Sequence, residues 1–230
     1  MTDAHAAPRG VGVVVVAAGS GSRLGAGRPK AFVPLGGRPL LDWALEGVAA
    51  VAGLRSVAVV VPAELVDADG WAGVALPPGA TVVAGGAERT ESVAAGLAVL
   101  DPACDVVLVH DAARCLTPVS VFDRVVEAVR AGADGVVPGL AVVDTVKTVD
   151  TEGYVTGTPD RSGLRAVQTP QGFPRDVLLG AHASGMVATD DAALVERTGH
   201  RVRVVEGDPL AFKVTTPDDL ARAERLVARA

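Results

Sequence analysis

The stretch Ala17-Ala18-Gly19-Ser20-Gly21-Ser22-Arg23-Leu24-Gly25-Ala26-Gly27-Arg28-Pro29-Lys30 places glycines and cations directly after a Val-rich run. Glycines at such a point let the backbone approach a ligand and aim N–H groups at phosphate oxygens. A dinucleotide fingerprint needs its third glycine where Leu24 stands, and the next glycine comes one position late, at Gly25. It also needs a helix opening inside the glycine run, whereas Pro29, Pro34 and Gly36-Gly37 delay the next helix to about Pro39. A Walker A loop fails because no Gly-Lys-Ser/Thr follows. What remains is a loop that wraps a nucleoside triphosphate and adds Arg23 and Lys30. Attack on an α-phosphorus builds charge on its non-bridging oxygens and on departing pyrophosphate, and pre-placed cations stabilise that charge most in the transition state. A Gly-rich turn with two solvated cations is the plainer alternative.

Further groups recur at the ends of apolar runs. Gly85-Gly86-Ala87-Glu88-Arg89-Thr90-Glu91-Ser92-Val93 can bring backbone and the Ser92 hydroxyl to a base or phosphate, or can be a capped helix start with Thr90 as N-cap. His110-Asp111-Ala112-Ala113-Arg114 ends a strand with a carboxylate suited to a hard cation such as Mg²⁺; an Asp111–Arg114 ion pair is the other reading. Thr145 and Arg161 lie in Val143–Lys147 and Asp160–Leu164, Thr169 in Gln168-Thr169-Pro170-Gln171, Thr189 before Asp190-Asp191, and Lys213 before Val214-Thr215-Thr216-Pro217. Taken singly, each fits an ordinary surface group or a helix cap.

The elements that must position these groups alternate along the chain. Val11–Ala17, Ser56–Pro62, Ala80–Ala84, Asp105–His110 and Asp134–Pro138 are nearly continuous apolar runs, as buried parallel strands require. Helices are predicted over Pro39–Val51, Thr90–Leu100 and Val119–Ala131, with Pro39 at a first helical position. Such alternation predicts a doubly wound sheet with ligands at the strands' carboxyl ends. After Pro138 the pattern breaks: Ala141–Val149 and Tyr154–Thr158 predict a hairpin arm, at about residues 139–163, which is marginal without something to pack on. Helices near Arg175–Ala183 and Asp190–Thr198, a strand at Arg201–Glu206 and a helix from Pro217 complete one predicted domain over residues 1–230.

Composition narrows the function. At 49% hydrophobic and 21% charged the chain is of a globular type. A net charge of −6 and 3% aromatics exclude a broad nucleic-acid face with stacking platforms, so any anion must sit in a local basic pocket. The two cysteines, Cys104 and Cys115, have no metal or disulfide spacing and fit a reducing compartment, the cytoplasm. Arg9 before Val11–Ala18 mimics a signal peptide, but the run is short and reads as a buried strand. No stretch reaches the roughly 20 apolar residues needed to span a bilayer.

Ala-Ala-Gly-x-Gly-x-Arg-x-Gly…Pro-Lys resembles the signature loop of nucleotidyltransferases with a GT-A-like Rossmann fold. Continued by Ala31-Phe32-Val33-Pro34-Leu35, it resembles the 2-C-methyl-D-erythritol 4-phosphate cytidylyltransferase family of non-mevalonate isoprenoid biosynthesis. The resemblance runs from about Val11 to the end of the chain. It implies CTP and a small polyol phosphate as substrates, release of pyrophosphate, Mg²⁺ as cofactor with Asp111 as its ligand, and a homodimer through the arm. It implies Arg23, Lys30 and Lys213 as catalytic cations, and Ala17, Ala18, Gly19, Gly86, Ser92 and Asp111 at the nucleotide. Asp111, Arg114, Thr145, Arg161, Thr169 and Thr189 are implied at the acceptor, with Thr145 and Arg161 reaching the partner subunit's substrate. Ala87, Cys115 and Ala211-Phe212 depart from the family pattern. A ribitol 5-phosphate cytidylyltransferase and a catalytically silent nucleotide-binding module are the competing readings.

Overall fold

A computed structural model of the chain describes residues 10–19, 24, 27–67 and 74–228. In chain order the elements are β1 (Gly10–Val16), β2 (Pro34–Leu35), β3 (Arg38–Pro39), α1 (Leu40–Ala49), β4 (Leu54–Val61), β5 (Ala80–Ala84), α2 (Arg89–Val99), β6 (Cys104–Asp111) and α3 (Val119–Arg130). They continue with β7 (Gly135–Ala141), β8 (Thr148–Val149), β9 (Val155–Gly157), β10 (Arg165–Val167), β11 (Gln171–Pro174), α4 (Arg175–Ala183), α5 (Asp191–Arg197), β12 (Val202–Glu206) and α6 (Pro217–Val227).

One sheet runs β10-β7-β11-β6-β1-β4-β5, with β12 beside β7. Strand β1 lies between β4 and β6 and is parallel to both. Its side chains alternate as a strand buried on both faces must: Val13 and Val15 join one core cluster, Val14 the other. The same two-residue period sends Val57, Val59 and Val61 one way and Ala58 and Val60 the other. Helices α1, α3 and α6 supply the first cluster, and α2, α4 and α5 the second. Gly96 lets α2 lie against β1, since a Cβ there would stand 2.5 Å from Val14 Cγ1.

The fold is α/β and mostly parallel, as the alternation predicts, but one strand went unpredicted and two local expectations need correcting. β11 is an antiparallel strand inserted between β6 and β7. Its sequence gives no apolar run because the buried Gln171 is satisfied by polar partners: Nε2 donates to Asp190 at 2.8 Å and Oε1 accepts from the Ala192 N–H at 3.1 Å. The projecting arm is shorter than residues 139–163 at its start, since Gly139, Leu140 and Ala141 pair with Val167, Ala166 and Arg165 in the main sheet. The projection is thus 142–164, inserted between two paired strands and holding only the small β8–β9 ladder. Pro39 ends a short strand and caps α1 rather than opening it.

Candidate active site

The carboxyl ends of β1, β4 and β6 lie at one edge, and the residues just beyond them keep the ladder going. Ala17 N–H donates to Val60 O at 2.7 Å, Ala112 N–H to Val16 O at 3.1 Å, and Gly85 N–H to Val61 O at 2.7 Å. The sheet therefore holds the backbones of the Ala17–Gly19, Gly85–Arg89 and Asp111–Ala113 segments side by side. They enclose a cleft of about 320 Å³ together with Lys30, Ser92, Lys213 and Thr215. Gly85 is required by the closeness of two of these segments, because a Cβ there would stand 2.6 Å from Ala18 Cβ. Gly86 N–H donates to Ser92 Oγ at 3.2 Å. The cap of helix α2 stands two residues earlier than predicted, at Glu88 rather than Thr90. Glu91 reaches back to accept from the Ala87 and Glu88 N–H groups at 2.8 and 3.2 Å, the reciprocal half of a capping box.

Lys30 and Lys213, remote in sequence, share this cleft. Lys30 Nζ donates to Thr215 Oγ1 at 3.4 Å, and Thr215 Oγ1 donates to Lys213 O at 3.2 Å. The capping box of α6 fixes that turn: Asp219 accepts from the Thr215 and Thr216 N–H groups at 2.9 and 2.8 Å. Arg23 lies outside the described residues. Asp111 is the centre of charge. Lys213 Nζ stands 2.7 Å from Oδ2, an Arg89 nitrogen 3.6 Å from Oδ1, and Arg114 Nε 4.0 Å from Oδ2. Burial alone would raise the Asp111 pKa; Lys213 and then Arg89 overcome it and hold the carboxyl down at about 2. A carboxylate so paired stays ionised at neutral pH.

The layer beneath is buried and hydrogen-bonded. Thr169 Oγ1 accepts from the Asp111 N–H at 3.1 Å and bonds His110 Nδ1 at 3.0 Å. It is only 4% exposed and does not line the cleft, so it props the Asp111 backbone rather than facing a ligand. Burial lowers the His110 pKa to about 4, leaving a neutral imidazole. Arg114 donates to Ala211 O at 2.7 Å and Val167 O at 3.3 Å, bracing the segment that carries Lys213.

Ala17, Ala18, Gly19, Lys30, Gly86, Ser92, Asp111 and Lys213 thus meet in one cleft. Thr145 and Arg161 do not: both are exposed on the arm, where Arg161 is tied to Val143 O. Thr189 is exposed just before the Asp190 cap of α5 and lines no part of the cleft. Sequence reading overlooked Arg89 and Thr215, which do line it. Their neighbours in sequence, Ser92 and Lys213, were the only signal; a lone Arg at a helix start reads as a surface charge.

The sequence model of the family described as IspD, 2-C-methyl-D-erythritol 4-phosphate cytidylyltransferase, matches residues 11–229. A protein of Rhodococcus jostii (strain RHA1) with that name is 57% identical over 215 residues, covering 93% of each chain. Among solved structures, the enzyme of the same name from Thermus thermophilus is similar with a TM-score of 0.79 and 39% identity, over 96% of this chain and 100% of that one. The 4-diphosphocytidyl-2C-methyl-D-erythritol synthase of Anaerococcus prevotii gives a TM-score of 0.81 at 29% identity, with the same coverage. The cleft of a nucleotidyltransferase-like sheet and these likenesses agree: the chain belongs to the 2-C-methyl-D-erythritol 4-phosphate cytidylyltransferase family.

Proposed function

We propose that the chain transfers CMP from CTP to 2-C-methyl-D-erythritol 4-phosphate, in the non-mevalonate route to isoprenoids. An acceptor phosphate oxygen attacks the α-phosphorus and forms the new P–O bond. The bond from that phosphorus to the bridging oxygen breaks, and pyrophosphate leaves with the electron pair. A phosphate monoester dianion is nucleophilic at neutral pH, so no strong base is needed, and positioning with charge stabilisation carries the rate. The observation that supports this most is the meeting of Lys30 and Lys213 around one cleft at the sheet's carboxyl edge. In this reading Lys30, Lys213 and Arg23 stabilise charge on the α-phosphate and the leaving group. Ala17, Ala18, Gly19, Gly86 and Ser92 hold the nucleotide, and Asp111 faces the acceptor side with Arg114 bracing it from behind.

Among the described residues no cluster of three or more His, Cys, Asp or Glu side chains forms a metal cage. Mg²⁺ commonly takes one or two carboxylates and completes its shell with phosphate oxygens and water. Asp111, ionised and on the cleft wall, fits that use, with its Oδ1 less closely engaged than its Oδ2. Bound Mg²⁺ would neutralise triphosphate charge; Asp111 would hold it, while Lys213 keeps that carboxylate ionised.

The arm supports a homodimer. Val143 is 79% exposed, Tyr154 70%, Val155 59% and Val149 58%, all within 142–164. Burying each apolar side chain is worth about 1.5–3 kcal/mol, enough in sum to offset part of the cost of association. A second copy covering this surface would also bring Thr145 and Arg161 toward a cleft they do not reach in their own chain. Arg suits phosphate there because its planar fork matches the oxygens. Thr169 supports the acceptor side in this reading through Asp111. The whole chain acts as one nucleotidyltransferase domain with the arm as its dimer element, and its buried free cysteines fit the cytoplasm. The test is a Mg²⁺-dependent assay of pyrophosphate release from CTP with 2-C-methyl-D-erythritol 4-phosphate and ribitol 5-phosphate in parallel. Turnover with the first alone is expected; turnover confined to the second, or none with either, overturns the proposal.

A further inference from the structure

Arg89 occupies a position that its own helix disfavours. It is the first residue of α2, where the helix dipole presents positive charge to a cation, and its side chain is 29% exposed. Burial works against its charge, yet its pKa is raised, because Asp191 and then Asp111 overcome that cost. The two carboxylates are not equal partners. One guanidinium nitrogen stands 2.6 Å from Asp191 Oδ2, the other 3.6 Å from Asp111 Oδ1. The first is a short charge-assisted hydrogen bond; the second lies beyond hydrogen-bond reach. Asp191 is 2% exposed, and its remaining oxygen is 3.1 Å from His182 Nε2, a side chain itself 6% exposed. Three helices, α2, α4 and α5, thus send one residue each to a buried chain that ends at the cleft carboxylate. At the other end, Lys213 keeps the close contact with Asp111, at 2.7 Å.

We infer that Asp191, steadied by His182, is a positioning residue that holds Arg89 back from Asp111, so that Lys213 remains the close partner of that carboxylate. Without the Asp191 charge the guanidinium would close on Asp111 and compete with Lys213 for the same oxygens. Lys213 would then be displaced from the place where the transferred phosphate needs it. This inference rests on the proposed transfer reaction and on Lys213 serving it.

Asp191→Asn keeps the shape and removes the charge. Its kcat is expected to fall about tenfold, the scale seen when a supporting residue behind a site is lost, with KM for CTP changed less than about twofold. Asp191→Glu should recover most of the rate. The deciding measurement is the same substitution in an Arg89→Gln background, where Asp191→Asn should cost nothing further. A tenfold fall that persists in that background, or wild-type kcat in a folded Asp191→Asn protein, overturns the inference. If Asp191→Asn does not fold, His182 decides: His182→Leu should lower kcat, while His182→Gln, which restores a donor at the Nε2 position, should not. Equal kcat for those two overturns it. A Lys213→Ala arm separates the levels. Full activity there defeats the transfer reading itself; an inactive Lys213→Ala beside a fully active Asp191→Asn defeats only the role of Asp191.

Discussion

The cleft and the arm hold the same kinds of residue, Thr, Arg and Lys beside Val, but stand in opposite physical conditions. At the cleft the described charged side chains are tied into the fold: Lys30 to Thr215, and Lys213 and Arg89 to the buried Asp111. Asp111 ends a strand in which Val107, Leu108 and Val109 are 0% exposed, its N–H is held by Thr169, and Lys213 and Arg89 flank its oxygens. On the arm, Thr145 and Arg161 sit on a projection whose own ladder joins only β8 and β9, and its apolar side chains face outward. An isolated two-stranded hairpin is marginal in water. The difference teaches that the cleft is pre-organised within one chain, whereas the arm is held by few contacts of its own and leaves its apolar side chains exposed.

Lys30→Ala attacks the pre-organised half and has the largest expected effect. Its kcat should fall by about 10²–10³, by analogy with losing one oxyanion donor, with little change in thermal stability. A purified variant with near wild-type turnover would break the picture of a cationic cleft. Tyr154→Asp combined with Val155→Asp attacks the other half. It should shift sedimentation from dimer to monomer and lower turnover by about 10–10², as misplaced phosphate contacts do, while leaving the melting temperature of the sheet unchanged. A monomeric variant with full activity would show that the arm gives nothing to the site.

Acid sharpens the comparison further, because the cleft rests on buried groups with shifted pKa values, whereas Asp160, the shifted group of the arm among the described residues, is exposed. His110, lowered by burial from 6.5 to about 4, takes up its proton less readily folded than unfolded. Its contribution is complete above pH 6.5 and is lost as pH falls to about 4, in total about 3 kcal/mol. Asp111, held at about 2 against 3.8 unfolded, adds a second loss between those values. Urea midpoints between pH 7 and 4 should therefore fall steeply, and His110→Gln should flatten the curve; an unchanged slope would remove His110 as its cause. The smallest effect concerns Cys115, whose thiol burial pushes up to about 12. It should react with a thiol reagent at pH 8 only on unfolding, as followed by absorbance.

Much of the fold was legible because periodicity is a local signal. Val11–Val16 and Val106–Val109 are apolar without a break, and a strand covered on both faces needs nothing else. β11 was not legible, since Gln171 and Gly172 are buried for reasons that lie in α5 and α3: a hydrogen-bonding partner in the first case and close packing on Val125 in the second. Lys30 and Asp111 could be singled out from their strings. Arg89 could not, because what distinguishes it from a surface arginine is Asp191, 102 residues further along.

By itself the sequence determined the alternation of strands and helices, the glycine-rich, cation-bearing string after β1 and the family. These depend on residue types at short spacing, where the physics is that of the local backbone. Only the tertiary structure decided that Lys30 and Lys213, 183 positions apart by their numbers, meet at one cleft, and that Thr169 stands behind Asp111 instead of before it. It also decided that Arg89 answers to two carboxylates. Such facts depend on the order of strands in the sheet, and charge interactions act through space with no trace in the spacing of residues along the chain.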